Sequence, residues 1–236
     1  MIGSRSALAA IAAIAAGCTG DVDPPWQLDH ERIIAVRATP PRIASGDQAV
    51  LDALLGFKGA PVAEEAPDDA AVVSPASLAG AVARDGERWI VTAPDEAALV
   101  AARSSLALPA GAPVPLVVRV SYAAGALVAT KTVWLGASGA DPTMPDVMID
   151  GASAAATAAE LVVAPLVDIP LSVPLDDVSY DVTWLSSCGT MHDFDLPAAY
   201  LHVDADDPTE GQLAVVIRDA TGGVAWRVWP IRAQTP

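Results

Sequence analysis

The chain has 236 residues, 13 Lys plus Arg against 29 Asp plus Glu, and a formal net charge of -16. That balance argues against a nucleic-acid binder, because affinity for a polyanion depends on clustered cations that release counterions. With 53% hydrophobic and 18% charged residues the chain can bury a core, while 20 prolines and 17 glycines interrupt it too often for long helices.

The N-terminus comes first. Arg5 is the only charge before an apolar and small-residue run from Ala7 to Ala16. A run this short cannot cross a hydrocarbon core that needs about 20 apolar residues, so residues 1–17 read as a secretory signal peptide and the chain as exported. The end of the run, Ala15-Ala16-Gly17-Cys18, resembles the lipobox of bacterial lipoproteins, with Ala15 in place of the usual leucine. The resemblance implies lipidation of Cys18, which becomes the new N-terminus and gives the protein its membrane partner. Thr19 after the cysteine implies the outer membrane by the enteric sorting rule, with the leaflet open. The other reading is an ordinary signal peptide cut at an Ala-x-Ala site, which leaves Cys18 a free thiol. Cleavage before Cys18 removes only one charged residue, Arg5, so the exported body is slightly more acidic than the precursor. Its acidity would be repelled by anionic headgroups, and lipid must supply the membrane affinity. With Cys18 lipidated, Cys188 has no disulfide partner.

Residues 18–30, with Pro24-Pro25, read as the lipidated cysteine and a tether. From there the period-two alternation of half-buried strands begins. Ile34, Val36 and Ala38 alternate with Ala35, Arg37 and Thr39; a turn at Ser45-Gly46-Asp47 precedes a strand at Ala49–Leu55. Further strands are expected at Arg88–Thr92, Leu116–Tyr122 and Leu127–Leu135, the last two as a hairpin around Ala123-Ala124-Gly125. Pro94-Asp95-Glu96 starts one short helix over Ala97–Ala102, with acids at its positive end. Residues 60–70, acidic and proline-bearing, are expected as an exposed loop.

Gly, Ser, Asp and two prolines gather at Gly136–Pro145, which divides residues 31–137 from residues 146–236 through a linker at 138–145. The second stretch offers strands at Glu160–Val163, Ile169–Val173, Ser179–Leu185, Ala199–Val203, Gln212–Arg218 and Val224–Ile231. Leu213, Val215 and Ile217 with Val224, Trp226 and Val228 flank Asp219–Gly223 as a hairpin. The expected fold class is all-β, two immunoglobulin-like β-sandwiches in tandem. Ala38–Leu51, a proline-bearing strand turning through Gly46-Asp47, resembles the opening of bacterial immunoglobulin-like and fibronectin-like modules. Tyr180-Asp181-Val182-Thr183-Trp184 resembles their central strand. The whole layout resembles exported lipoproteins with tandem sandwich domains from myxobacteria-like Gram-negative genomes. That resemblance implies a fold and no ligand.

Two clusters could carry chemistry. Cys188, His192, Asp193 and Asp195 lie within eight positions and could set a thiolate beside a histidine base and a carboxylate, although a turn collects such residues without catalysis. Asp204, Asp206, Asp207 and Glu210 are oxygen ligands of the kind calcium takes, in a spacing that does not match the helix-loop-helix pattern. The sequence holds no phosphate loop, zinc pairing or nucleophile elbow. No catalytic, cofactor or metal residue is assigned; Cys18 is the one assigned site. Trp134, Trp184 and Trp226 are expected in the core and Trp229, opposite in phase to Trp226, outward, where with Arg227 it could meet a protein or glycan. The functional expectation is a non-enzymatic, lipid-anchored envelope protein with a spacer, scaffold or binding role. An envelope enzyme using Cys188 and His192, or a calcium-dependent adhesion module, are the alternatives.

Overall fold

The computed structural model describes residues 23–155, 160–175 and 179–234. The N-terminal apolar run and Cys18 lie outside them. The chain is all-β. Its first half holds β1 (Arg32–Thr39), β2 (Arg42–Ile43), β3 (Gln48–Phe57), β4 (Ala60–Glu65), β5 (Asp69–Ser74), β6 (Val82–Asp85) and β7 (Arg88–Thr92). A helix, α1 (Glu96–Ser105), leads to β8 (Val114–Tyr122) and β9 (Leu127–Leu135). One sheet runs β1-β3-β7-β6 with β4 added to β3, and the other runs β2-β9-β8-β5. Every ladder is antiparallel except β2 on β9.

The second half holds β10 (Val147–Ile149), β11 (Ala152–Ala154), β12 (Leu161–Val163), β13 (Asp168–Ser172), β14 (Asp181–Ser186), β15 (Thr190–His192), β16 (Ala198–His202), β17 (Glu210–Arg218) and β18 (Val224–Ala233). Its sheets run β11-β10-β13-β16-β15 and β12-β18-β17-β14, with β12 parallel to β18. Setting aside β4 and β11, the two halves repeat one topology. The opening strand joins one sheet, a short continuation crosses to lie parallel to the last strand of the other, and the rest fall into the ABED and CFG order of an immunoglobulin sandwich. Trp184 on β14 is fully buried at the central-strand position, and its indole Nε1 donates to the Leu196 carbonyl at 3.0 Å.

Each sandwich has its own core. Leu51, Val91, Leu116, Val118 and Leu135 are among the buried residues of the first, and Leu171, Trp184, Leu201, Val215 and Trp229 of the second. Alternation puts one side of each strand inward. The helix α1 starts on its Asp95 cap, whose carboxylate accepts from Ala98 N at 2.8 Å. It buries Leu99 and Ala102 and is tied to the following loop by the buried Arg103. That guanidinium donates to the Ala112 carbonyl at 2.7 Å and pairs with Glu96 at 2.5 Å.

The structure corrects four expectations. Residues 60–70 are not an exposed loop: Ala60–Glu65 is an edge strand on β3 and Asp69 opens β5. Of the acids on that strand, Glu65 is exposed at the edge, where charge keeps an open strand from pairing with other chains, whereas Glu64 accepts from the Trp226 indole. Ile34 is not in phase with Val36 and Ala38, because a bulge between Ile33 and Ala35 resets the register, so that Ile33 packs against the first core and Ile34 does not. Trp229 is fully buried in the second core, whereas Trp226 faces the other side of β18 and Trp134 is only half-buried. The run Leu213–Ile217 explains why phase alone misled: β17 is buried on both faces, so both phases of its hairpin partner are covered. Finally, the segment expected as tether is docked onto the body from Trp26 onward. Ser186 N donates to the Trp26 carbonyl at 2.9 Å and Leu28 N to the Ser186 carbonyl at 3.0 Å, and Leu28 is buried.

Candidate functional site: the seam between the sandwiches

The second face of β17 is covered by the first sandwich. Ile34, Ala35 and Leu54 pack with Leu28, Leu185, Ala214, Val216, Val224 and Trp226 in a third apolar cluster that joins the two halves. Polar contacts frame it. Arg37, opposite Asp52 across the β1–β3 ladder, donates twice to that carboxylate at 3.0 and 2.7 Å. The same guanidinium lies 3.9 Å from the centre of the Trp226 ring, and the Trp226 indole donates to Glu64 at 2.7 Å. A cation held between a carboxylate and an indole face is pinned in all three directions. Arg218 reaches from β17 to the Ile34 carbonyl at 2.8 Å, and Val62 N donates to the Gln212 side chain at 2.7 Å.

Beside this cluster lies an open cleft of about 720 Å³. Its walls are Ile33–Val36 of β1, residues 126–131 at β9, and Arg218, Asp219 and Gly222–Val224 at the β17–β18 turn. The turn is built by Asp219, whose carboxylate accepts from Thr221 N, Thr221 Oγ1 and Gly223 N at 2.7, 2.8 and 2.8 Å. Burial pushes that carboxyl up, but these hydrogen bonds outweigh it and hold the group below the ordinary carboxylate range. Gly222, at φ +89°, takes a backbone conformation that glycine adopts cheaply. Its carbonyl receives Lys131 Nζ at 2.6 Å.

Lys131 is only 8% exposed. Burial lowers its ammonium to about 8, against the pull of Asp141 and Asp219. Because the folded value lies below the unfolded one, the folded state carries the cost of a buried charge in full below pH 8. Between pH 8 and 10.5 the unfolded chain holds the proton that the folded chain has released, so this lysine makes stability rise with pH by up to about 3 kcal/mol. Cys188 and Tyr122, both raised by burial, act in the opposite sense at alkaline pH. A comparison of the parent with Lys131→Met cancels them. In urea titrations the stability of the Met variant relative to the parent should fall by about 2–3 kcal/mol between pH 7 and pH 10; a difference independent of pH would contradict the buried ammonium.

The sequence-based site residues fare differently. Cys188 is fully buried, and its Sγ lies 2.8 Å from the Pro208 carbonyl, with burial the main cause of a thiol pushed up to about 11. A buried, protonated sulfur is a poor nucleophile. His192 is exposed and stacks on Tyr200 across the β15–β16 ladder at 4.4 Å. Asp193 and Asp195 are exposed in the turn that follows. In the acidic cluster, Asp207 accepts from Asp204 N at 2.8 Å and Glu210 pairs with Arg232 at 3.4 Å. Asp204 turns to His202 at 3.4 Å, whose imidazole is raised above its ordinary value chiefly by the hydrogen bond it donates to the Asp168 carboxylate. Among the described residues no three such groups converge so as to hold a metal ion. Arg227 donates to the Met144 carbonyl at 3.3 Å.

Sequence reasoning missed Arg37, Asp52, Glu64, Lys131 and Arg218. One signal was present for Lys131: it falls in phase with Val133 and Leu135 on β9, an inward place for a cation.

No family model matches the chain, and no curated protein matches its sequence. Among solved structures, a nucleoside hydrolase-related hypothetical protein from Saccharophagus degradans is similar at 13% identity over 40% of this chain and 26% of its own, with a TM-score of 0.32. The tandem Ig repeats of Dlar align at 10% identity over 87% of this chain and 98% of theirs, with a TM-score of 0.30. The two tandem V-type regions of VCBP3, a v-region-containing chitin binding protein, align at 11% identity over 85% and 100%, with a TM-score of 0.33. The chain spans about a quarter of the first and nearly all of the other two. The immunoglobulin-like fold itself rests on the strand order, found twice.

Proposed function

We propose that this chain is an exported, lipid-anchored cell-envelope protein in which two immunoglobulin-like sandwiches act as one fixed, non-enzymatic scaffold or binding unit. The observation that carries this reading is the seam. Tandem modules move against each other unless a large apolar interface holds them, and here an apolar cluster, the Arg37 clamp and the docked segment from Trp26 all bridge the halves. A fixed pair sets a distance and an orientation, which is what a spacer or a two-domain binding surface needs. The buried thiol of Cys188 weakens the rival enzyme reading. The anchor rests on Ala15-Ala16-Gly17-Cys18 alone, and its partners beyond the membrane are an envelope protein or glycan. Cys18→Ala, expressed with its signal, is expected to move the protein from the membrane fraction to the soluble fraction; full retention on membranes would overturn the anchor.

A further inference from the structure

The chain contains two lysines, Lys58 and Lys131. Lys58 is exposed in the β3–β4 turn, whereas Lys131 forms part of the wall of the cleft between the sandwiches. The Lys131 amine makes one described hydrogen bond, to the Gly222 carbonyl, and no described carboxylate lies within ion-pair distance. The charged groups acting on it are Asp141, Asp219 and Asp52 on one side of the balance and Arg218 on the other. The rest of the cleft combines apolar stretches at Ile33–Val36 and Leu127–Ala129 with the polar side chains of Asp181, Arg218 and Asp219.

We propose that Lys131 is a covalent capture site for small, uncharged carbonyl compounds, which enter the interdomain cleft and form an imine with its Nζ. The free amine adds its lone pair to the carbonyl carbon, and the proton moves from nitrogen to oxygen to give a carbinolamine. The C–O bond then breaks, water leaves, and the C=N bond closes, with no oxidant or reductant required. Burial opposes the ammonium form, and with its value lowered to about 8 roughly half of the amine is free at pH 8. The product suits the site better than a carbamate lysine would. Once protonated, the imine keeps a positive charge near Asp141 and Asp219 and one N–H for the Gly222 carbonyl. A carbamate would instead set a negative charge against two carboxylates.

The test uses the full native chain with propanal and cyanoborohydride at pH 8, followed by peptide mass mapping of the two lysines over time. Lys131 is expected to be reductively alkylated roughly tenfold faster than the exposed Lys58, the free-amine fraction outweighing its lower basicity. The preference should vanish in urea, where the cleft is gone, and Lys131→Arg should leave only the slow Lys58 product. Native Lys131 reacting no faster than Lys58, or not at all, would overturn the proposal and reduce Lys131 to a hydrogen bond across the seam. Neither result bears on the lipid anchor, which a different variant tests.

Discussion

Trp229→Ala is expected to destabilise the protein by about 3–5 kcal/mol, the range for removing a large aromatic side chain from a packed core. The side chain has no solvent exposure. It stands opposite Leu213 in the β17–β18 ladder, and its indole donates to the Ala155 carbonyl at 2.9 Å. Truncation therefore opens a cavity in the second core and removes the hydrogen bond to the Ala155 carbonyl. Against a total stability of about 5–15 kcal/mol for a typical domain, that loss is a large share. Urea unfolding followed by circular dichroism reads it directly. A loss below about 1 kcal/mol would return Trp229 to the surface, where its phase relative to Trp226 first suggested it.

The second large effect belongs to Trp226, only 8% exposed although it points away from both cores. Trp226→Ala removes the ring under Arg37, the donor to Glu64 and the centre of the apolar seam. The expected cost is about 2–4 kcal/mol, and the consequence is qualitative as well. The parent should unfold as one cooperative unit, because each sandwich covers an apolar face of the other. The variant should show two transitions in calorimetry, one for each sandwich. A variant that still unfolds in one step at nearly the parent temperature would mean that the seam carries little coupling.

These two tryptophans show how far the sequence could be read. Alternation over Arg88–Thr92, Leu127–Leu135 and Tyr180–Trp184 placed strands with nearly the right bounds, since a strand with one wet face writes its period plainly. The hairpin at Asp219–Gly223 was legible because its glycines and its aspartate have local work to do. Leu213–Ile217 was not legible in the same way: five apolar residues in a row hold no phase, and the reason for the run is a second domain that a local pattern cannot display. The same holds for Ala60–Glu65, whose acids read as a loop although Glu64 serves the seam. The short strands β10, β11 and β15 have three residues each, too few for any period to register. Of the chemistry, Cys188 was conspicuous by composition but ends in the core, whereas Arg37 was one polar position of an alternating strand and Lys131 showed only its inward phase, until the fold brought Trp226 and Gly222 to them.

The fixed pairing of the sandwiches is the claim on which the scaffold reading depends, and rotational diffusion tests it without any variant. Backbone ¹⁵N relaxation on the purified soluble body should give one overall correlation time shared by β1–β9 and β10–β18. Two distinct, shorter times, one for each sandwich, would contradict a rigid seam.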